Sequence, residues 1–211
     1  MPGPLVCFID DSPFERRLFL DVFPAAWPEA RFVVAESYRE ARRLLDRRCP
    51  GLWLLDLYGQ DPEHPVAPVL PGREELLPLA PDAEAVWRGF DPTVPDAAND
   101  YLRRLFRVVA GWQEVFARAA RAAGQSRAYG LHNLARALGD CPAVPAVAYT
   151  RKAQAGDIVA FLAAGGRGAL LKPHAGDDAA IPAATRREAP ALVARMRQLM
   201  GADAAAGRSG Q

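Results

Sequence analysis

Short apolar runs alternate with helical segments along most of this chain, and this alternation constrains the fold more than any other feature. The run from Leu5 to Ile9 is typical, because Ser12 and Pro13 follow it and favour the start of a helix. Such alternation predicts a parallel sheet with helices on both faces. The predicted strands are about 5–9, 31–35, 52–55, 143–149 and 169–171, and the predicted helices are about 13–22, 37–47, 131–138, 155–164 and 190–200.

The alternation stops between about residues 61 and 128, which we interpret as an insertion. Eight prolines lie between Pro62 and Pro95, too many for helices or central strands. An amphipathic helix is then predicted over about 97–123, and we expect its Trp112–Phe116 stripe to be packed core. The prediction is one domain over residues 1–200, with a core at 4–60 and 129–200 and a disordered tail at 201–211.

Composition excludes several classes of protein. The chain has 211 residues, with 26 basic and 25 acidic side chains, so its charge gives no general attraction to nucleic acid or anionic membranes. No apolar stretch is long enough for a membrane span, and the N-terminus lacks a secretory signal, so we expect a cytoplasmic protein. Cys7, Cys49 and Cys141 have no ligand-like spacing, which predicts neither a disulfide framework nor a zinc site.

Polar residues end the predicted strands: Asp10 and Asp11 after the first, Asp56 after the third, Thr150 after the fourth and Lys172 after the fifth. Ligands of open parallel sheets bind beyond these carboxyl ends. Three carboxylates suit Mg²⁺, and a hydroxyl with an ammonium group suits phosphoryl oxygens. The pattern indicates phosphoryl transfer with Asp56 as the acceptor nucleophile.

Lysine is rare in this chain, which makes Lys172 informative. Only Lys152 and Lys172 are lysines, and the other basic residues are arginines. Lysine offers a compact point charge where arginine offers a planar fork. The choice of lysine after the fifth strand therefore indicates a specific role there, whereas Lys152 is expected to be solvated.

Four short motifs surround the polar residues at the strand ends: Phe8 to Ser12, Leu54 to Asp56, Ala148 to Thr150 and Leu170 to Pro173. The interval from Asp11 to Asp56 is 45 residues and that from Thr150 to Lys172 is 22. The motifs and both intervals resemble those of the response-regulator receiver (CheY-like) family, and Gly130 to Leu134 resembles the family's third helix. The resemblance covers about 4–60 and 129–200.

The resemblance implies a doubly wound five-stranded parallel sheet in the flavodoxin-like order 2-1-3-4-5, with the helical insertion between strand 3 and helix 3. It implies that Asp56 is phosphorylated by a sensor histidine kinase or phosphotransfer protein, as in bacterial two-component signalling. Mg²⁺ would be held by Asp11 directly, by Asp10 largely through water, by Asp56 and by the backbone carbonyl of Tyr58.

The same resemblance implies that Thr150 and Lys172 contact the phosphoryl group and that the Lys172–Pro173 bond is cis. No output domain follows in the sequence, so the signal is expected to pass to another protein. The insertion could serve as lid, docking surface or homodimer contact. No direct binding to nucleic acid and no enzymatic turnover are expected.

Three departures from the family pattern are the insertion, Arg151 in place of a small residue, and Ala169 in place of an aromatic switch residue. A bulky Arg151 should slow access to an aspartyl phosphate and prolong its lifetime. Two alternatives stay open. One is a pseudo-receiver that binds partners without phosphorylation; the other is a haloacid-dehalogenase-like phosphatase using Asp10, with Asp177 and Asp178 as its later acidic pair.

Overall fold

The computed structural model describes residues 3–60, 67, 69–126, 128–151 and 154–206. The chain divides into two compact units, one formed by Met1–Pro65 with Ser126–Gln211 and the other by Val66–Gln125. The second unit lies within the segment that the sequence analysis interprets as an insertion. Each unit is described separately.

The first unit contains a five-stranded sheet in the order β2-β1-β3-β4-β5, and every neighbouring pair is parallel. This confirms the predicted fold class. The carboxyl ends of the strands therefore lie along one edge of the sheet. The strands are β1 (Leu5–Ile9), β2 (Arg31–Ala35), β3 (Leu52–Leu55), β4 (Ala146–Thr150) and β5 (Gly168–Leu171).

Among the described residues, five α-helices belong to this unit: α1 (Pro13–Ala26), α2 (Tyr38–Leu44), α5 (Ala128–Asp140), α6 (Ala155–Ala163) and α7 (Ile181–Ala206). The two between them in the chain, α3 (Arg73–Leu76) and α4 (Ala97–Ala122), belong to the second unit. Ser12 caps α1 by accepting a hydrogen bond from the Glu15 backbone N–H, at 3.4 Å. Ser37 caps α2 in the same way through the Glu40 N–H.

Aromatic packing fixes α1 against the sheet. Phe8 of β1 and Tyr149 of β4 contact Phe19 of α1, with ring centroids 4.7 and 6.1 Å from that of Phe19, and Phe19 stacks on Phe23 at 4.2 Å. All four rings are buried. Each such aromatic removes about 150–250 Å² from water, so the cluster holds the strand ends in a rigid frame.

The last helix begins earlier than predicted. It starts at Ile181, passes through Pro190, the first residue of the predicted helix, and continues to Ala206. A proline inside a helix costs about 3 kcal/mol. The buried face of α7 continues on both sides of it, through Ile181, Ala189 and Val193, so packing on the sheet offsets that cost. Residues 207–211 lie outside the described residues.

Two further predictions are wrong. Cys49 and Cys141 form a disulfide with Cα atoms 5.8 Å apart, because the loops before the paired strands β3 and β4 bring together residues separated by 92 positions. The Lys172–Pro173 bond, expected to be cis, is trans, since none of the described peptide bonds is cis.

In the part of the chain that the structure describes, none of the helices combines the length and the apolar character that a membrane span requires.

In the second unit, α3 (Arg73–Leu76) and short 3₁₀ turns precede the long helix α4 (Ala97–Ala122). The expectation that the Trp112–Phe116 stripe is packed core is wrong for Trp112, which is 50% exposed. The helix packs within its unit through another face, where Tyr101 contacts Trp87 and Gly111 lies against Pro81.

Candidate functional site

The carboxyl edge of the sheet brings together the predicted polar residues of the first unit. Asp10 follows β1 and Asp56 follows β3, and the Asp56 N–H donates to the Ile9 carbonyl at 2.9 Å, which ties the two strand ends together. Thr150 ends β4 and Lys172 follows β5, and the Lys172 N–H donates to the Thr150 carbonyl, also at 2.9 Å. Parallel pairing alone therefore places these four side chains at one edge.

Three carboxylates form a compact cluster at this edge. Asp10, Asp11 and Asp56 each offer one oxygen, and these oxygens all lie within 4.8 Å of one another. Asp10 and Asp56 are buried and Asp11 is half-buried, so the cluster has one side open to solvent. Oxygen ligands at this spacing fit a hard divalent cation such as Mg²⁺.

Lys172 lies in the centre of the site. Its Nζ donates to Asp10 Oδ2 and, at 3.0 Å, to Asp56 Oδ1, and it lies 3.9 Å from Glu15 Oε2. The Nζ also lies 5.5 and 5.8 Å from the ring centroids of Phe8 and Tyr149. The side chain is 3% exposed, so the three carboxylates and two ring faces replace the water that an ammonium group normally requires.

Burial and charge shift the pKa of two groups here. The pKa of the Asp10 carboxyl is raised from 3.8 to about 7, chiefly because the group is buried; the charge of Lys172 lowers this pKa and that of Asp56 raises it, and burial outweighs the effect of Lys172. Burial tends to lower the pKa of Lys172, but the carboxylates of Asp56, Asp10 and Glu15 outweigh it and raise that pKa. Lys172 is therefore charged at neutral pH, whereas Asp10 gains a proton in mildly acidic solution.

This protonation predicts that Mg²⁺ affinity depends on pH. A cation binds the carboxylate form, so protonating Asp10, whose pKa is about 7, should weaken binding about tenfold between pH 8 and pH 6. Titration calorimetry over this range measures the effect. In the Asp10→Asn variant affinity should be lower and nearly constant between these pH values; an equally steep dependence there would assign it to another group.

The same shift affects stability in the absence of metal. The folded-state pKa of Asp10 lies above its unfolded value of 3.8, so its contribution favours folding at low pH and is lost as pH rises from about 4 through about 7.

Hydrogen bonds that involve the backbone hold Asp11 at the solvent-exposed side of the acidic cluster. Its Oδ2 accepts a hydrogen bond from the Gln60 N–H at 2.9 Å. Arg16 Nη1 donates to the backbone carbonyls of Asp10 and Asp11, at 2.6 and 2.8 Å. These bonds fix the segments after β1 and β3 on either side of the carboxylates.

Glu15 is a site residue that sequence reasoning missed. It lies in the first turn of the helix that Ser12 and Pro13 predict, and its carboxylate is 14% exposed and pairs with Arg151 Nη2 at 2.7 Å while facing Lys172. Its position in the first turn after Asp10–Asp11 was the available signal, since that turn begins at the site edge. Arg151 also donates to the Pro173 carbonyl, so it joins α1 to the segment after β5.

Tyr58, expected to offer its backbone carbonyl, lies two residues after Asp56 and is buried. Its hydroxyl donates to Asp157 Oδ2 at 2.8 Å, which links this loop to the first turn of α6. Among the described residues, the acidic cluster does not include Asp177 or Asp178, the pair that a haloacid-dehalogenase-like phosphatase would use.

Gly130 allows α5 to approach the end of β3 closely. A Cβ on Gly130 would lie 2.7 Å from the Asp56 carbonyl oxygen and 2.7 Å from Leu57 Cα, which is closer than backbone atoms allow. We expect Gly130→Ala to lower the free energy of unfolding by about 1–3 kcal/mol, because α5 must move away from the end of β3.

Urea denaturation measures this loss. Gly139→Ala is the matched control on the same helix, since nothing lies within 4 Å of a Cβ there. It should stabilise the protein by about 0.5–1 kcal/mol. Equal effects of the two substitutions would show that the close approach at Gly130 is unimportant.

Comparison with known proteins supports the fold. No protein-family model matches the sequence, and no curated protein matches it. Among solved structures, the response regulator domain of Thermotoga maritima CheB is 15% identical with a TM-score of 0.50, and the match covers 94% of this chain and 97% of that one. NtrX from Brucella abortus is 12% identical with a TM-score of 0.54, covering 98% of this chain but only 29% of that one. At these identities the likeness shows that the first unit has the receiver fold.

Proposed function

We propose that this protein is a two-component receiver that accepts a phosphoryl group on Asp56. The observation that supports this most directly is the contact of Asp56 Oδ1 with Lys172 Nζ at 3.0 Å, within a cluster of three carboxylates. Such a site offers both a nucleophilic oxygen and positive charge for phosphoryl oxygens. The donor would be a phosphohistidine on a sensor histidine kinase or phosphotransfer protein.

In the reaction, a carboxylate oxygen of Asp56 attacks phosphorus while the bond from phosphorus to the donor's histidine nitrogen breaks. The histidine leaves with the electron pair of that bond, and the phosphoryl group becomes an acyl phosphate on Asp56. Lys172 stays charged and turns its Nζ to a phosphoryl oxygen, and the Thr150 hydroxyl donates to another.

The cluster of three carboxylates suits Mg²⁺, which Asp11, Asp56 and the Tyr58 carbonyl would hold directly and Asp10 largely through water. When bound, the ion would neutralise the negative charge that the carboxylates and the incoming phosphoryl group bring together.

Beryllofluoride, which mimics an aspartyl phosphate, provides the test. With Mg²⁺ present, ¹⁹F NMR should show a bound trifluoroberyllate signal in wild type and none in Asp56→Asn. Asp46→Asn, the same change at an exposed loop position, should retain the signal. Wild type that shows no bound signal at saturating Mg²⁺ would reject the proposal and favour a phosphorylation-independent pseudo-receiver.

Arg151 is proposed to prolong the phosphorylated state. Its guanidinium pairs with Glu15, which faces Lys172. From there the bulky side chain would hinder access to the acyl phosphate, and its charge neutralises a carboxylate that would repel the phosphoryl group. Arg151→Ala should shorten the half-life of the acyl phosphate several-fold. Following phosphoprotein decay by gel mobility measures it, and an unchanged half-life would remove Arg151 from this role.

Glu15→Gln separates the two effects of Arg151. This variant removes the negative charge but leaves the arginine side chain in place. If the main effect of Arg151 is that its side chain covers the site, Glu15→Gln should keep the long half-life.

Any downstream signal is proposed to pass through protein contacts, with the 61–128 segment as the candidate surface, rather than through direct binding to nucleic acid.

A further inference from the structure

Arg16 holds the backbone that carries two carboxylates of the acidic cluster. Its Nη1 donates to the Asp10 carbonyl oxygen at 2.6 Å and to the Asp11 carbonyl oxygen at 2.8 Å. Its Nη2 lies 3.8 Å from Glu36 Oε2, and its side chain is 21% exposed. The guanidinium therefore acts on the acidic cluster through the main chain of its members.

The stability of α1 does not explain an arginine at this position. Arg16 is the fourth residue of that helix, which begins at Pro13. The start of a helix carries the positive end of its dipole, so a cation there is disfavoured. Side chains of a helix lean toward its N-terminus, which lets Arg16 reach back to the residues before the helix. The two carbonyl contacts are what this placement achieves.

Two hydrogen bonds to one nitrogen fix the turn between β1 and α1. Both carbonyl groups must point toward Arg16 Nη1, which sets the two peptide planes and hence the directions in which the side chains of Asp10 and Asp11 leave the backbone. Asp10 Oδ1 also accepts the Ser12 N–H at 2.8 Å, and Asp11 Oδ2 accepts the Gln60 N–H at 2.9 Å. The positions of these carboxylate oxygens therefore depend on the backbone that Arg16 holds.

The partner of Arg16 is itself held in place. Glu36 follows β2, and its carbonyl oxygen accepts a hydrogen bond from the Tyr129 hydroxyl at 2.7 Å. Its backbone N–H donates to Glu40 Oε2 at 2.9 Å. These bonds connect Arg16 to α5 and α2, so the turn after β1 is supported from three helices.

Cations differ in how much they depend on such support. Mg²⁺ requires nearly octahedral oxygen ligands at about 2.0–2.1 Å, whereas Ca²⁺ accepts six to eight oxygens at about 2.3–2.6 Å in flexible geometry. Fixing the carboxylates in one arrangement therefore favours Mg²⁺, and loosening them harms Mg²⁺ binding more than Ca²⁺ binding.

We propose that Arg16 is a positioning residue that sets the preference of the acidic cluster for Mg²⁺ over Ca²⁺. The inference rests on the metal site of the proposed function. Position and charge have opposite effects here: a cation beside the cluster repels any metal ion, whereas the hydrogen bonds from Arg16 hold the ligands in place. Removing Arg16 should therefore weaken Mg²⁺ binding even though it removes a repelling charge.

Titration calorimetry of the metal-free protein with each ion, at one pH, tests the proposal. Arg16→Met keeps the apolar stem but removes the donors, and it should weaken Mg²⁺ binding at least about tenfold, the loss typical of groups that orient metal ligands. Ca²⁺ binding should weaken less, so the preference for Mg²⁺ falls. Arg17→Met changes the neighbouring arginine, whose side chain is 86% exposed, and should leave both affinities unchanged.

An Arg16→Met variant that binds Mg²⁺ as tightly as wild type or more tightly, or that loses affinity for both ions equally, would overturn the proposal. Arg16→Lys keeps the charge on a side chain one bond shorter, with circular dichroism as the check that both variants are folded. A wild-type preference in Arg16→Lys would assign the effect to charge and would also overturn it.

Wild type distinguishes this inference from the proposed function on which it rests. A wild type that binds no Mg²⁺ would remove the metal site itself, and both proposals would fail. A wild type that binds Mg²⁺, together with an unchanged Arg16→Met variant, would reject the role of Arg16 alone.

Discussion

Replacing Lys172 by methionine should lower the free energy of unfolding by about 3–5 kcal/mol at neutral pH. The substitution keeps the length of the side chain but removes the cation that contacts Asp10 and Asp56, and it leaves these two buried carboxylates close together without a counter-charge. Losing one partner of a buried ion pair costs about this much. Urea denaturation of wild type and variant measures the difference.

The loss should depend on pH and on divalent cations. Lys172 lowers the pKa of Asp10, which burial and the charge of Asp56 raise, so in its absence protonation of Asp10 restores stability as pH falls and the deficit grows as pH rises through the folded-state pKa of Asp10. Mg²⁺ should recover part of the loss by supplying the missing charge. The control is Arg195→Met at an exposed position, expected to change stability by less than about 0.5 kcal/mol. A deficit independent of both pH and Mg²⁺ would mean that Lys172 acts through packing alone.

Replacing Cys141 by serine should lower the free energy of unfolding by about 4–5 kcal/mol under oxidising conditions. The Cys49–Cys141 bond closes a loop of 92 residues, and the entropy that such a cross-link removes from the unfolded chain grows with loop length. Chemical denaturation without reductant measures the loss.

Reductant provides the control for this prediction. Reduction should destabilise wild type by a similar amount and should leave Cys141→Ser unchanged, because that variant has no disulfide to break. A variant as stable as oxidised wild type would show that the bond contributes little, and a further loss on reducing the variant would point to another effect of the reductant.

The sheet was predictable because buried parallel strands are short apolar runs with distinct ends. Leu5–Ile9, Arg31–Ala35 and Leu52–Leu55 agree with the prediction at both ends. Helix bounds agree less well, as at Pro190, because tertiary packing can hold a residue that local propensity disfavours.

The placement of the candidate site was predictable for a topological reason. Side chains that follow parallel strands meet at one edge, so the order of the strands was sufficient to bring Asp10, Asp56, Thr150 and Lys172 together.

Other features depend on distances that local pattern does not contain. The Glu15–Arg151 pair joins residues 136 positions apart, and the Cys49–Cys141 bond joins two loops before neighbouring strands. The amphipathic pattern of α4 predicted the helix but not which apolar face its own unit would cover. Trp112 and Val115 both fit an apolar helix face, and only Val115 is buried.

Intact-mass spectrometry after incubation with Mg²⁺ and acetyl phosphate tests the central claim most directly. Wild type should gain the mass of one phosphoryl group, the gain should require Mg²⁺, and Asp46→Asn should behave like wild type. Asp56→Asn should gain none. A wild type that stays unmodified under these conditions, or an Asp56→Asn variant that is modified equally, would contradict the account of Asp56 as the phosphoryl acceptor.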